Sequence, residues 1–295
     1  MNELLRDAAE RASAYLEGLD ARSVAPDRAA IAALDALDVP LPRKGSDDAS
    51  VIAELDALSP ATMAMAGPRF FGFVIGGALP VTLAANWIAG AWDQNSAYFN
   101  ATPATARLEQ VALGWLVDLF GLPKGTGGAF VTGATVANFT ALAAARHAVL
   151  AKAGWNVEAD GLFGAPPVHV VVGDEAHPSL IKSLGLLGLG RNRVTRVPVD
   201  AQGRTRVDAL PKLEGPAIVC VQAGNVNSGA IDPVARICAQ AKESGAWVHV
   251  DGAFGLWAAA ASRFADAMRG IDEADSWATD AHKWLNVPYD SGLAF

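Results

Sequence analysis

Ala246-Trp247-Val248-His249-Val250-Asp251-Gly252-Ala253 reads as a buried β-strand that ends on a carboxylate. Comparable apolar runs recur along the second half of the chain, at Ala129–Thr132, Val168–Val172, Val194–Val199, Ala217–Val221 and Ser276–Asp280. Their continuous Val/Ile content, rather than strict alternation, predicts strands covered on both faces. Helical periodicity lies between or beside them, over Leu108–Phe120, Thr135–Leu150, Ser179–Leu187, Val207–Leu213 and Val234–Ser244. The alternation predicts an α/β fold, a mostly parallel sheet flanked by helices. Ser291–Phe295 reads as one more strand reaching the last residue, and domains do not ordinarily stop within an apolar strand. The expectation is that the natural chain continues.

Working back toward the N-terminus, residues 1–65 predict a helical segment. Leu5, Ala8, Ala12, Tyr15/Leu16 and Leu19 form an apolar stripe at helical spacing, and a second helix is expected over Pro26–Leu37. Pro40 to Asp48 is a polar, proline-bearing connector. The organisation is thus 1–65 as a helical segment needing a surface to cover, and 66–295 as the α/β domain.

Composition excludes several classes. Of 295 residues, 52% are hydrophobic and 18% charged, which suits a globular chain able to bury a large core. The net charge of −8 argues against nucleic acid or an anionic membrane as partner. Cys220 and Cys238 are too few for a disulfide framework or a zinc cluster, so no metal is expected and a cytoplasmic location is. The longest apolar run, Ala78 to Trp92, is too short to span a bilayer.

Chemistry concentrates at the predicted carboxyl ends of the strands, where an open parallel sheet forms its ligand crevice. Asp251 ends one strand, and Ala278-Thr279-Asp280-Ala281-His282-Lys283-Trp284-Leu285 follows on the next. A lysine amine near apolar residues suits Schiff-base formation with an aldehyde, and a strand-end carboxylate can keep a pyridine nitrogen protonated. The pair points to pyridoxal 5'-phosphate (PLP), with Lys283 as covalent anchor. Thr132-Gly133-Ala134-Thr135 joins a strand to a long helix whose N-terminus suits a phosphate, with Thr135 as cap; an ordinary capped turn has the same sequence. His177, in Gly173–Ser179, could lie on an aromatic cofactor or simply start a helix. Gln222–Pro233 is a polar, glycine-rich loop at the same sheet end, holding Asn225 at the expected cofactor rim, with Asp232 as expected N-cap before Pro233.

The order of these motifs resembles the group II PLP-dependent amino-acid decarboxylases, the family of aromatic-L-amino-acid, glutamate and histidine decarboxylases. The resemblance runs from Pro68-Arg69-Phe70-Phe71-Gly72 to the last residue, and its final stretch is the most specific: Ser276, an aromatic, five residues, Lys283, then Trp284-Leu285. It implies the large domain of a fold-type I PLP enzyme and a carboxy-lyase that converts an amino acid to an amine. Lys283 would carry the Schiff base, Asp251 would pair with the pyridine nitrogen, His177 would stack on one ring face and Ala253 would touch the other. Ala134, Thr135 and His282 would hold the phosphate. It also implies a homodimer in which the N-terminal helices of residues 1–65 are buried across the two-fold axis, and a small C-terminal domain and a loop tyrosine acting as acid beyond Phe295. The same residues would serve other fold-type I reactions (aldehyde synthesis, transamination, elimination) or persist in a non-catalytic dimerising homologue. Gly67 stands where the family commonly has histidine, Asn225-Val226 where it often has two threonines, and Ser291 where it has cysteine or alanine. These departures bear on the substrate more than on the cofactor.

Overall fold

The strands form one seven-stranded sheet in a computed structural model that describes residues 2–295. In chain order they are β1 (Ala129–Val131), β2 (His169–Gly173), β3 (Thr195–Val197), β4 (Ala217–Gln222), β5 (Trp247–Asp251), β6 (Ser276–Asp280) and β7 (Gly292–Ala294). The spatial order is β1-β7-β6-β5-β4-β2-β3. Neighbours from β3 through β6 are parallel, while β7 runs antiparallel between β6 and β1. The expected mostly parallel sheet is therefore present, with Ser291–Phe295 supplying its one reversed strand.

Alternation along the strands feeds two apolar layers. Val219 and Val221 of β4 enter a cluster with Val248, Val250, Ile237 and Leu256, whereas Ile218 and Cys220 enter another with Leu142, Leu180 and Leu184. Burial on both faces explains why the run Ala217–Val221 lacks polar alternation. Helix Ala134–Lys152 lies over the second face, and its buried Ala137, Ala141 and Ala145 let the helix backbone approach the sheet closely.

The chain divides into two compact units, one ending at Ala78 and one covering Leu79–Phe295. In the first, helix Asn2–Glu17 is tied to helix Asp48–Ala57 through Arg11, which contacts both Asp7 and Asp56 at 2.9 Å. This unit reaches past the expected boundary at residue 65, because Arg69 donates to the Asp20 carbonyl and Phe70 is buried. The expected helix over 26–37 is an α-helix at Arg28–Ala33, capped by Asp27, that tightens to a 3₁₀ turn over Leu34–Leu37.

Three local expectations are corrected. Val207–Leu213 holds only a 3₁₀ turn over Val207–Ala209; Leu210 is extended, as the residue before Pro211 is biased to be. Asp232 does not cap the helix that begins at Val234. Its buried carboxylate instead accepts from the backbone N–H groups of Thr205 (2.6 Å) and Gln222 (2.7 Å) and from the Thr205 hydroxyl, pinning one loop to the end of β4. Thr135 lies inside helix Ala134–Lys152 and caps nothing; the N-cap position is Gly133, which has no side chain to offer. The cap comes from elsewhere in the chain.

Candidate active site

That cap is Asp280. Register alone brings it there: β5 and β6 pair Asp251 with Ala278, so β6 extends two residues further and ends beside the N-terminus of helix Ala134–Lys152. Asp280 Oδ1 accepts from the Ala134 N–H at 2.5 Å, while Oδ2 lies 3.2 Å from Lys283 Nζ and 3.6 Å from His282 Nε2. The residue is buried, with its backbone N–H on the Ala253 carbonyl and its carbonyl accepting from the Trp257 indole. An oxyanion at a helix N-terminus is where the helix dipole and free N–H groups favour one.

The turn behind it is sterically fixed. A Cβ on Gly292 would fall 2.5 Å from the Gly133 Cα, so β7 and the turn after β1 touch backbone to backbone. His282 is held by its Nδ1, which donates to the Ser291 carbonyl at 2.9 Å, and by stacking on Tyr289 with ring centroids 4.1 Å apart. Nε2 is thereby turned toward Asp280 and the helix N-terminus.

Asp251 ends β5 and is buried at the same edge of the sheet. Burial pushes its carboxyl above the ordinary range; His177, the Ala253 N–H, Lys283 and Asn138 each act to bring it back down. The hydrogen bond from that backbone N–H is long, at 3.3 Å. A buried carboxylate with so little neutral partnering calls for a cationic N–H in front of it. His177 opens helix Pro178–Leu186, its Nδ1 accepting from the Ser179 N–H, so the helix-start reading holds. Its ring also lies near enough to Asp251 to favour that residue's charged form.

The structure thus draws Lys283, Asp251, His177, Ala253, His282, Ala134 and Thr135 to one edge of the sheet. Asn225 ties two loops together: its Oδ1 accepts from Asn227 and Ser228 N–H groups and its amide donates to Glu175, in the loop after β2, at 2.7 Å. Two residues escaped the sequence reading. Asp280 carried a signal, an acid three residues before the lysine at the end of an apolar strand. Asn138 carried none, being one polar residue in an alanine-rich helix.

The donor set fits an aromatic aldehyde bearing a phosphate. A helix N-terminus where Asp280 already seats an oxyanion, a buried carboxylate, and a half-buried amine are groups that suit a cofactor of the pyridoxal type. Residues 33–295 match the family described as "Pyridoxal-dependent decarboxylase conserved domain", and the chain belongs to that family. It is 30% identical to an aromatic-L-amino-acid decarboxylase of Bacillus atrophaeus, over 76% of this chain and 46% of that protein. It is 31% identical to an L-2,4-diaminobutyrate decarboxylase of Rhizobium meliloti, over 88% of this chain and 52% of that one. Among solved structures it superimposes on Oryza sativa TDC with PLP and tryptamine with a TM-score of 0.87 and 26% identity, covering 99% of this chain and 63% of that chain. Mouse CSAD shares the fold at 24% identity, with a TM-score of 0.90 over 99% of this chain and 64% of that one. The chain spans about half the length of the curated relatives it matches.

Proposed function

We propose that this chain is the cofactor-binding part of a PLP-dependent carboxy-lyase that decarboxylates an amino acid to an amine. The observation that carries the reading is the buried, under-partnered Asp251 at the same sheet edge as Lys283 and the anion-accepting N-terminus of helix Ala134–Lys152. When bound, PLP supplies an electron sink for the bond that breaks. The protein's own part is positioning and charge. Lys283 Nζ would hold the cofactor through its aldehyde carbon. Asp251 would hold a proton on the ring nitrogen, the charge complement that an electron sink needs. His177 would lie on one ring face and Ala253 against the other, while Thr135, His282 and Ala134, whose own N–H is taken by Asp280, would line the phosphate. Relatives named for aromatic, diaminobutyrate and aspartate substrates support the reaction class without choosing among amino acids. Incubation of PLP-loaded protein with a panel of L-amino acids tests the reading: amine and CO₂ in equal amounts are expected, and an aldehyde or keto acid as sole product overturns it.

The proposal extends to assembly and place. Helix Pro80–Trp92 is strongly apolar yet none of its residues is buried, which favours a homodimer covering it. Cys220 and Cys238 are buried, unpaired thiols, and burial pushes Cys238 up to about 12 and Cys220 higher, in keeping with a reducing cytoplasm. Among the described residues no helix is long and apolar enough to cross a membrane, and no group of three or more His, Cys, Asp or Glu is placed to hold a metal.

A further inference from the structure

Behind Asp251 runs a buried polar chain that the proposed chemistry leaves without a task. The β5–β6 register sets His249 beside Ser276, and helix Ala134–Lys152 lays Asn138 over both. Trp247 Nε1 is 2.9 Å from Ser276 Oγ, Ser276 Oγ is 2.9 Å from His249 Nδ1, and His249 Nε2 is 2.8 Å from Asn138 Oδ1. His249 and Asn138 are fully buried and Ser276 nearly so. The Asn138 amide nitrogen, also buried, faces Asp251 and favours its charged form, short of full hydrogen-bond geometry.

Each link constrains the polarity of the next. An indole N–H can only donate, so Ser276 Oγ accepts from Trp247 and has its own proton free for His249 Nδ1. Accepting there makes His249 the Nε2–H tautomer, which donates to Asn138 Oδ1. That fixes the amide so that its NH₂ group faces the carboxylate. Ser276 Oγ has a second lone pair and tolerates either polarity, but the reverse one would turn Asn138 Oδ1 onto Asp251, two acceptors face to face in a buried site, and is disfavoured from that end. Burial pulls the His249 pKa down to about 3, outweighing an upward pull from the Ser276 backbone, so the imidazole stays neutral and can hold one tautomer.

We infer that Ser276, His249 and Asn138 are positioning residues, a one-way hydrogen-bond chain starting at the Trp247 indole that aims the Asn138 amide at Asp251 and holds that carboxylate charged and in place for a protonated ring nitrogen. The ring nitrogen rests on the cofactor reading above; the polarity of the chain does not. It also gives a task to the serine of the motif that ends in Lys283.

Nitrogen NMR on the intact 295-residue chain, labelled at its five histidines, reads the tautomer directly, with His249 assigned by difference against His249→Gln. The Nε2–H form is expected, and Ser276→Ala should leave a mixture that Ser276→Thr restores. A dominant Nδ1–H form in the unmodified protein overturns the inference whether or not any variant folds. In the cofactor-free chain, carbon NMR of the Asp251 carboxyl should show its midpoint rising in Asn138→Leu by about one pH unit, a tenfold change in its protonation equilibrium. An unmoved midpoint in a folded variant also overturns the inference. With ¹⁵N-labelled PLP bound, the ring nitrogen should be protonated in the unmodified protein and less so in Asn138→Leu. If PLP fails to bind the unmodified chain, the cofactor reading falls, while the tautomer and the Asp251 midpoint still decide the polarity.

Discussion

Lys283 is held between two requirements, a charge partner and access. Asp280 lies 3.2 Å from its amine, yet the side chain keeps 17% exposure, enough for an incoming aldehyde to reach it. Borohydride reduction of PLP-loaded protein followed by peptide mapping should place a pyridoxyl group on Lys283, and finding it on another lysine refutes the assignment. Asp251 answers a different test. Asp251→Asn keeps the size of the side chain but removes the charge proposed to hold a ring proton, so PLP should still bind while turnover drops ~10²–10³-fold, the scale of one lost preorganised electrostatic group. Turnover within a few-fold of the parent, assayed in a chain that is active to begin with, speaks against the role. His249 carries a consequence for stability. Its folded pKa is pulled from 6.5 to about 3 by burial, so below pH 6.5 the unfolded chain takes up a proton that the folded chain refuses. Stability from this residue is complete above pH 6.5 and declines as pH falls toward 3, by at most about 1.4 kcal/mol per pH unit. Urea denaturation between pH 7 and 4 should therefore show a shallower acid slope in His249→Gln than in the parent; equal slopes contradict the assignment.

Elements differ in how far their sequences declare them. The strands Ala217–Gln222, Trp247–Asp251 and Ser276–Asp280 were readable because burial on both faces demands unbroken apolar runs, and the helices Val234–Ser244 and Ala134–Lys152 because their periodicity is long. Local chemistry was less readable where a distant segment supplies the partner. Thr135 looks like a cap, but the carboxylate at that N-terminus comes from Asp280, far along the chain and adjacent only through sheet register. Asp232 looks like a cap as well, and is drawn instead to Thr205 and Gln222. The candidate residues Lys283, Asp251 and His177 were legible because each sits at or soon after the carboxyl end of a strand, where a parallel sheet forms its crevice. Asn138 was not, since its meaning depends on His249 and Asp251 together. Glycine gives the same contrast in measurable form. Gly292→Ala forces a methyl into the backbone of Gly133 and should cost about 1–3 kcal/mol, the usual penalty of overpacking, and loosen PLP binding with it. Gly114, in the middle of helix Pro103–Leu119 with nothing near its missing Cβ, should gain about 0.5–1 kcal/mol when changed to alanine. Chemical denaturation of the two variants side by side checks both signs, and a Gly292→Ala protein as stable as its parent removes the close approach from the account.

At the scale of the whole molecule, apolar surface is the feature left to explain. Helix Asn2–Glu17, whose stripe suggested a partner, has Leu5 exposed, but it is partly occupied by helix Asp48–Ala57 of its own unit, and Leu19 just beyond it is buried. Helix Pro80–Trp92 is the stronger case: Val81, Trp87, Ile88 and Trp92 are all exposed, and Tyr98 and Phe99 continue the surface beyond it. Burying a large apolar side chain contributes about 1.5–3 kcal/mol, so a handful of these across a two-fold axis is ample to hold two copies together. In an isologous interface each substitution enters twice, once from each copy, so a charge placed on this helix is desolvated on both sides of the axis. Light scattering on the intact chain should therefore report about twice its 30.5 kDa mass, and Ile88→Glu with Trp92→Glu should return the mass of one chain with the sheet still folded. Deleting residues 1–38 should weaken the dimer less than those two charges do, because the stripe it removes is already partly covered. A single-chain mass for the unmodified protein at micromolar concentration defeats the dimer, and a dimer that survives both glutamates moves its interface away from helix Pro80–Trp92.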